Sequence, residues 1–464
     1  MLPVVALVGR PNVGKSTLFN RLTGTRDALV ADFPGLTRDR LYGFTGGGLP
    51  AAIVIDTGGL TEFPDEMAAL MRRQVEFAVA EADVIIMVVD GRDMPGNDDR
   101  FVASLMRRAG KPVLLAVNKS EGRPADQAVL EYHELGINTP HAISASQGAG
   151  VRLLIEAAVA LAPAGESTAD SPALDARHPS IAVVGRPNVG KSTLINRLLR
   201  EDRLVTRDEP GTTRDAIRVA FEFDGRPFTL IDTAGVRRRA RVTDTIEKFS
   251  IAKTLQAVDE ADAVIMLIDA REGVTDQDAS LIGLILERGR ALTLGMNKWD
   301  GLGDTQRRRT MSALKRDLPF LEFAEVHPVS ALNGSNIVEL FAAAERAAQA
   351  ARAELPTQEL TRVLTEFVAN HPPPMVRRHR IRLTYAHQGG RRPPLIVVHG
   401  NQTELLPESY RRYLINRFRE AFQLSGTPIR LELKTGRNPF AGRRNPLTQR
   451  QVQKRRRLRD HSRR

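Results

Sequence analysis

Val8-Gly9-Arg10-Pro11-Asn12-Val13-Gly14-Lys15-Ser16-Thr17-Leu18 recurs, residue for residue, as Val184-Gly185-Arg186-Pro187-Asn188-Val189-Gly190-Lys191-Ser192-Thr193-Leu194. Each copy is a G-x-x-x-x-G-K-S phosphate loop, and each follows a short apolar run, Val4–Val8 or Ile181–Val184. That order predicts strand, loop and helix, the context the motif requires. The residue types state the chemistry. Glycines let successive backbone N–H groups point at phosphate oxygens, the lysine ammonium reaches the terminal phosphates, and the serine hydroxyl suits magnesium. The helix N-terminus beyond the loop adds partial positive charge. Two ordinary glycine-rich turns have no need of a lysine-serine pair, so the chain is expected to hold nucleotide phosphates twice.

The duplication runs beyond the loop. Gly9 and Gly185 are 176 residues apart, and the same offset relates Pro34–Asp39 to Pro210–Asp215 and Asp56-Thr57-Gly58-Gly59 to Asp232-Thr233-Ala234-Gly235. A fixed offset over three motifs means that a whole domain is duplicated, and the period is too long for a solenoid. In D-x-x-G the aspartates Asp56 and Asp232 are expected to hold magnesium, and the glycine N–H to sense a γ-phosphate. Thr37 and Thr213 are placed to add a magnesium ligand when a triphosphate is bound, in segments that order and relax as switches do. Ser16 and Ser192 complete the expected metal set.

Base selection comes later in each copy. Val113–Val117 leads into Asn118-Lys119-Ser120-Glu121, and Leu292–Met296 into Asn297-Lys298-Trp299-Asp300. The second is a complete N-K-x-D, whose aspartate can accept from the N1–H and exocyclic amine of guanine; adenine lacks that donor pair. Glu121 retains a carboxylate one methylene further out, so guanine selection in the first domain is expected to be weaker. Ser144-Ala145-Ser146 and Ser330-Ala331-Leu332 follow as expected sources of a backbone N–H for the guanine carbonyl.

Two motif sets in this order, ahead of a small basic region, resemble the Der (EngA) family of double Era-like GTPases of bacterial ribosome biogenesis, over essentially the whole chain. The resemblance implies hydrolysis of GTP to GDP and phosphate, and association with the large ribosomal subunit and its rRNA during assembly. It also implies the fold: two tandem P-loop G domains, doubly wound with mostly parallel sheets, then a small α+β KH-like domain. The expected boundaries are 1–162, a linker at 163–178 rich in Ala, Pro, Ser and Asp, 179–354, 355–436, and a basic tail at 437–464.

Composition narrows the classes. The chain has 464 residues, room for about three domains. Zero cysteines exclude disulfides and thiolate chemistry and fit a reducing cytoplasm. The first strand starts almost at once, which does not read as a signal peptide, and the apolar runs are too short to span a bilayer. Of the net +12, the stretch from Leu355 onward carries +17, with 24 Lys/Arg against 7 Asp/Glu. The basic character therefore lives in the last quarter. Such a run is often a solvated tail; without a membrane anchor, RNA phosphate is the favoured partner over an anionic lipid surface. The chain is expected to act as a monomer.

In the third region the pattern predicts a helix over 358–370, strands at Ile381–Tyr385 and Leu395–His399 joined by a turn at Gly389-Gly390, a helix over 407–422, and a strand at Ile429–Leu433. That αββαβ order is KH-like, yet no G-x-x-G occurs from Leu355 onward, and that loop clamps the backbone in ordinary KH domains. Tyr410, Leu414, Phe418 and Phe422 share one helix face and are expected in the core rather than as a base-stacking platform.

Hydrolysis raises a separate question. A glutamine after D-x-x-G orients water in Ras-like enzymes, but Leu60 and Val236 stand there. In related GTPases of this class an asparagine at the position of Asn12 and Asn188 helps to hold a potassium ion beside the phosphates, in the place of an arginine finger. The plainer alternative is that these asparagines only support loop geometry. Arg10, Arg186, Arg38 and Arg214 are further positive groups of lower rank. A metabolic phosphotransferase would gain nothing from N-K-x-D or a basic tail, and a hydrolytically silent first domain is the reading that Glu121 keeps open.

Overall fold

The structure, a computed structural model, describes residues 2–24, 29–30, 41–46, 48–57, 75–122, 124–163, 178–198, 204–206, 218–223, 226–231, 251–376 and 379–435. By contact the chain forms two units. One comprises Met1–Ala353 with Arg391–Pro394 and Gln423–Ile429; the other is Glu354–Gly390, Leu395–Phe422 and Arg430–Arg464.

The first unit holds two seven-stranded sheets. In the first, the order is β2 (Leu29–Val30), β3 (Leu41–Phe44), β4 (Ile53–Asp56), β1 (Val4–Val8), β5 (Val84–Asp90), β6 (Val113–Asn118), β7 (His141–Ala142). The second repeats it as β9 (Leu204–Thr206), β10 (Arg218–Phe223), β11 (Arg226–Ile231), β8 (Ser180–Val184), β12 (Ala263–Asp269), β13 (Ala291–Asn297), β14 (Glu325–Pro328). All pairings are parallel except those of β3 with its two neighbours and of β10 with its own. Strands buried on both faces read as unbroken apolar runs rather than alternations. Accordingly Val4–Val8 and Ala263–Asp269 are buried along their whole length.

β1 lies between β4 and β5, and β8 between β11 and β12. The strand order reverses there, so the loop leaving the carboxyl end of each central strand opens on the crevice where open α/β sheets bind ligands. Helices α1 (Lys15–Thr23) and α5 (Lys191–Leu198) start directly at the loop lysines. Within this unit the Arg288 guanidinium lies 3.5 Å from the ring centroid of Phe44, and Gln256 Nε2 donates to the Leu2 carbonyl at 2.9 Å, so the two sheets are joined.

The second unit is built from helices α10 (Thr357–Asn370) and α11 (Glu408–Ala421) and strands β17 (Arg382–Gly390), β18 (Leu395–Asn401) and β19 (Arg430–Thr435), preceded by a hairpin of β15 (Met375–Val376) and β16 (His379–Arg380). The expected αββαβ order is present. The turn is not at Gly389-Gly390: β17 runs through both glycines with a register irregularity beside Gly390, and the reversal occupies 391–394. Pro393 and Pro394 have no N–H to give a ladder, whereas a glycine tolerates a bulge. Tyr410, Leu414 and Phe418 are buried and Phe422 half-buried, with Phe418 edge-on to Phe367 of α10 at 5.3 Å. These aromatics are core. Among the described residues no helix is long and apolar enough to cross a membrane.

Candidate functional site

Gly14 and Gly190 sit at φ 97° and 100°, in the left-handed region glycine tolerates. A Cβ on either would lie 2.3 Å from the amide nitrogen of Asn118 or Asn297. That close approach has a purpose. Asn118 Nδ2 donates to the Val13 carbonyl at 2.8 Å, and its Oδ1 accepts from the Ala145 N–H at 2.9 Å. Asn297 repeats both bonds, with Val189 at 2.7 Å and Ala331 at 2.9 Å. Each asparagine therefore ties phosphate loop, N-K-x-D loop and S-A loop into one frame. The Ala145 and Ala331 amides, which the sequence offers to a guanine carbonyl, are used inside the protein in this structure.

The lysines close the loops. Lys15 Nζ donates to the carbonyls of Gly9 and Arg10 at 3.0 and 2.8 Å; Lys191 does the same to Gly185 and Arg186 at 2.9 and 2.8 Å. Burial pulls the Lys15 ammonium down to about 8 against the opposing pull of Asp56. A phosphate dianion would restore the proton, so the bound state holds more protons than the free state above pH 8. Nucleotide affinity at this site is then expected to fall as pH rises through about 8, at up to tenfold per unit. Calorimetry at pH 8.5 in buffers of different ionisation enthalpy should find proton uptake that Lys15→Met abolishes; no uptake in the wild type would refute the linkage.

Asp56 is 3% exposed, and burial raises its pKa against the Ser16 hydroxyl hydrogen bond and Lys15. Its Oδ1 is buried and, among the described residues, has no hydrogen-bond partner. An orphaned carboxylate oxygen beside a serine hydroxyl is a donor set that fits a hard divalent cation. Thr57 anchors the segment through Oγ1 to the Leu7 carbonyl at 2.7 Å. Thr37, Gly58, Gly59, Leu60, Thr213 and the stretch Asp232, Thr233, Ala234, Gly235, Val236 lie outside the described residues.

The two carboxylates expected from the sequence to select the base, Glu121 and Asp300, have matching surroundings. Asp300 accepts from the Ser330 hydroxyl, and with Arg271 nearby its pKa is lowered. Glu121 is held low first by its own backbone N–H, then by the Ser144 hydroxyl and by Arg92, whose ion pair measures 3.6 Å. Both are thereby favoured in the ionised form. The extra methylene of Glu121 does not change its partners.

Some site residues escape the motif reading. Asp90 and Asp269 each bind the lysine of N-K-x-D (Lys119, Lys298) at 2.5 Å, and both lysines take left-handed φ values of 62° and 61°. Lys119 also donates to the Asn12 carbonyl at 2.8 Å. The available signal was a second duplication, Asp90-Gly91-Arg92 against Asp269-Ala270-Arg271, at an offset of 179 residues. Arg10 pairs with Asp93 at 3.0 Å and Asp99 at 3.3 Å; Arg186 pairs with Glu272 at 2.8 Å and Asp278 at 3.1 Å.

Duplicated phosphate loops at the two switch points, each locked to an N-K-x-D/E loop, define a tandem guanine-nucleotide-binding GTPase. A family profile described as "50S ribosome-binding GTPase" matches residues 4–119 and 180–298, and one described as the C-terminal KH-domain-like region of EngA bacterial GTPase enzymes matches 354–434. The chain is 54% identical to the GTPase Der of Thioalkalivibrio sulfidiphilus, covering 100% of this chain and 99% of that one. It is 52% identical to GTPase Der of Methylococcus capsulatus, covering 99% of each. The chain belongs to the GTPase Der family.

Proposed function

We propose that this GTPase is a nucleotide-controlled assembly factor for the large ribosomal subunit, acting through rRNA. The supporting observation is the pairing of two guanine-nucleotide sites with a last quarter of net charge +17. The matching family, described as a 50S ribosome-binding GTPase, points the same way.

In this reading the loop amides and Lys15 or Lys191 bind the β- and γ-phosphates, while Glu121 or Asp300 selects guanine. Ser16 and Asp56 with Thr37, and Ser192 and Asp232 with Thr213, would hold magnesium, which supplies neutralisation of the phosphate oxygens. Asn12 and Asn188 would ligate potassium. The nucleotide state of the switch segments then sets the RNA affinity.

Sedimentation with ribosomal subunits in GTP analogue, GDP and no nucleotide tests the proposal, with anionic vesicles as the comparison. Co-sedimentation with the large subunit that changes with nucleotide is expected; binding to vesicles alone would overturn it. Truncation after Thr435 is expected to weaken RNA binding and flatten its salt dependence while GTP hydrolysis persists. Each lost phosphate contact lowers the slope by about 0.7–0.9. An unaltered slope would show that the tail is a solvated appendage.

A further inference from the structure

The three-stranded sheet of the second unit has one face packed under helices and another on which Tyr385, Glu432 and Lys434 are exposed, His387 and His399 half-buried and Val397 buried. Ala386, Ile396 and Val398 are fully buried on the side that α10 and α11 cover. On the opposite side the register sets Tyr385 against His399 and His399 against Lys434. The next row is His387, Val397 and Glu432. Three rings thus converge: Tyr385 and His399 lie 4.3 Å apart at 6° between planes, His387 and His399 5.1 Å apart at 29°, and Tyr385 and His387 6.1 Å apart at 23°.

Cross-strand packing alone accounts poorly for this arrangement. Tyr385 remains 42% exposed, so its ring gives the core little. His399 Nε2 is also buried and, among the described residues, has no hydrogen-bond partner, an unfavourable detail in a contact made only for stability. Burial, then His387 and Lys434, hold His399 below the usual histidine range, so its ring stacks as the neutral imidazole. Lys434 is half exposed, and its pair with Glu432 at 3.5 Å is of the exposed kind that contributes little and leaves the ammonium available.

We propose that the exposed Tyr385 ring on edge strand β17, backed by His399, is a stacking platform for unpaired RNA bases. A base extends the Tyr385–His399 stack on the exposed tyrosine ring, and Lys434 takes a backbone phosphate at the far end of the row. Two interstrand spacings, roughly 9–10 Å, separate the ends of that row. Single-stranded RNA is the occupant because every base offers a π-face and the surrounding chain is strongly cationic. Here stacking does what the missing G-x-x-G clamp does in ordinary KH domains. The inference rests on the RNA reading above and adds to it the surface and the mode of contact.

The test uses the full chain and a fluorescent single-stranded oligouridine, with a duplex RNA of equal length for comparison. Tyr385→Ala and Tyr385→Leu, the latter keeping apolar bulk, are expected to weaken single-strand binding about 5- to 150-fold with the salt slope unchanged. Tyr385→Phe should bind as the wild type does. Lys434→Gln should instead lower the slope by about 0.7. Independently of any variant, 5-iodouridine RNA photo-cross-linked to the wild type should mark Tyr385 or His399. Wild-type affinity in both ring-deleting variants, or cross-links confined to the tail beyond Thr435, would overturn the platform while leaving RNA binding standing. Failure of the wild-type protein to bind either RNA would instead remove the RNA reading itself.

Discussion

Replacing Asp300 by Asn is expected to turn the second domain from guanine toward xanthine nucleotides. In the proposed role the carboxylate accepts from two guanine donors, N1–H and the exocyclic amine. An amide offers one acceptor and one donor, and xanthine presents a carbonyl where guanine has its amine. Sites built to hydrogen-bond a ligand reject a mispaired analogue by large factors, so a loss of roughly 10²- to 10⁴-fold in GTP affinity is expected. XTP should gain in the same variant. The carboxylate is exposed and partnered by Ser330 and Arg271, away from the buried frame that Asn297 builds. Folding and phosphate contacts through Lys191 should therefore persist, which separates a change of selectivity from a collapse of the site. Titration of the second domain in a Lys15→Met background reads the effect. GTP affinity unchanged by Asp300→Asn would remove Asp300 from base recognition.

How far the sequence could be read follows from the kind of constraint involved. The phosphate loops were legible because glycine at φ 97° and 100°, next to an asparagine amide, is a requirement no other residue meets. The central strands were legible because burial on both faces leaves only apolar residues. Asp90 and Asp269 were not, since an aspartate at a strand end is ordinary until its lysine partner folds against it. The offset had also moved from 176 to 179 residues by then, so a search at a single period passes over them. The reversal after β17 was misplaced because Gly389-Gly390 is as good a bulge as a turn. The Tyr385–His387–His399 cluster depends on register across that irregular pairing, which spacing within one strand does not encode.

GTP turnover is expected to run on the order of 10²–10³-fold faster in potassium than in sodium at equal ionic strength, the usual size of one oriented electrostatic contribution to a transition state. Leu60 and Val236 supply no water-orienting amide, so charge building on the transferred phosphoryl group needs another counterweight. The loop arginines are committed elsewhere: Arg10 to Asp93 and Asp99, Arg186 to Glu272 and Asp278. Asn12 and Asn188 are exposed, and among the described residues neither side chain has a hydrogen-bond partner. Their left-handed φ values of 64° and 61° explain why asparagine is tolerated there. They do not explain a side chain left unpartnered at the mouth of a phosphate loop, as a capping role would require. A carbonyl oxygen in that position is a suitable ligand for a monovalent cation set against the phosphates. Asn12→Ala and Asn188→Ala should accordingly abolish the potassium response of their own domains. Nucleotide affinity should change little, because the loop amides and lysines remain. Single-turnover rates in each salt, measured for both variants, decide the matter. Equal wild-type rates in potassium and sodium would refute the cation role and return attention to Arg38 and Arg214, or to a group supplied by the bound ribosome.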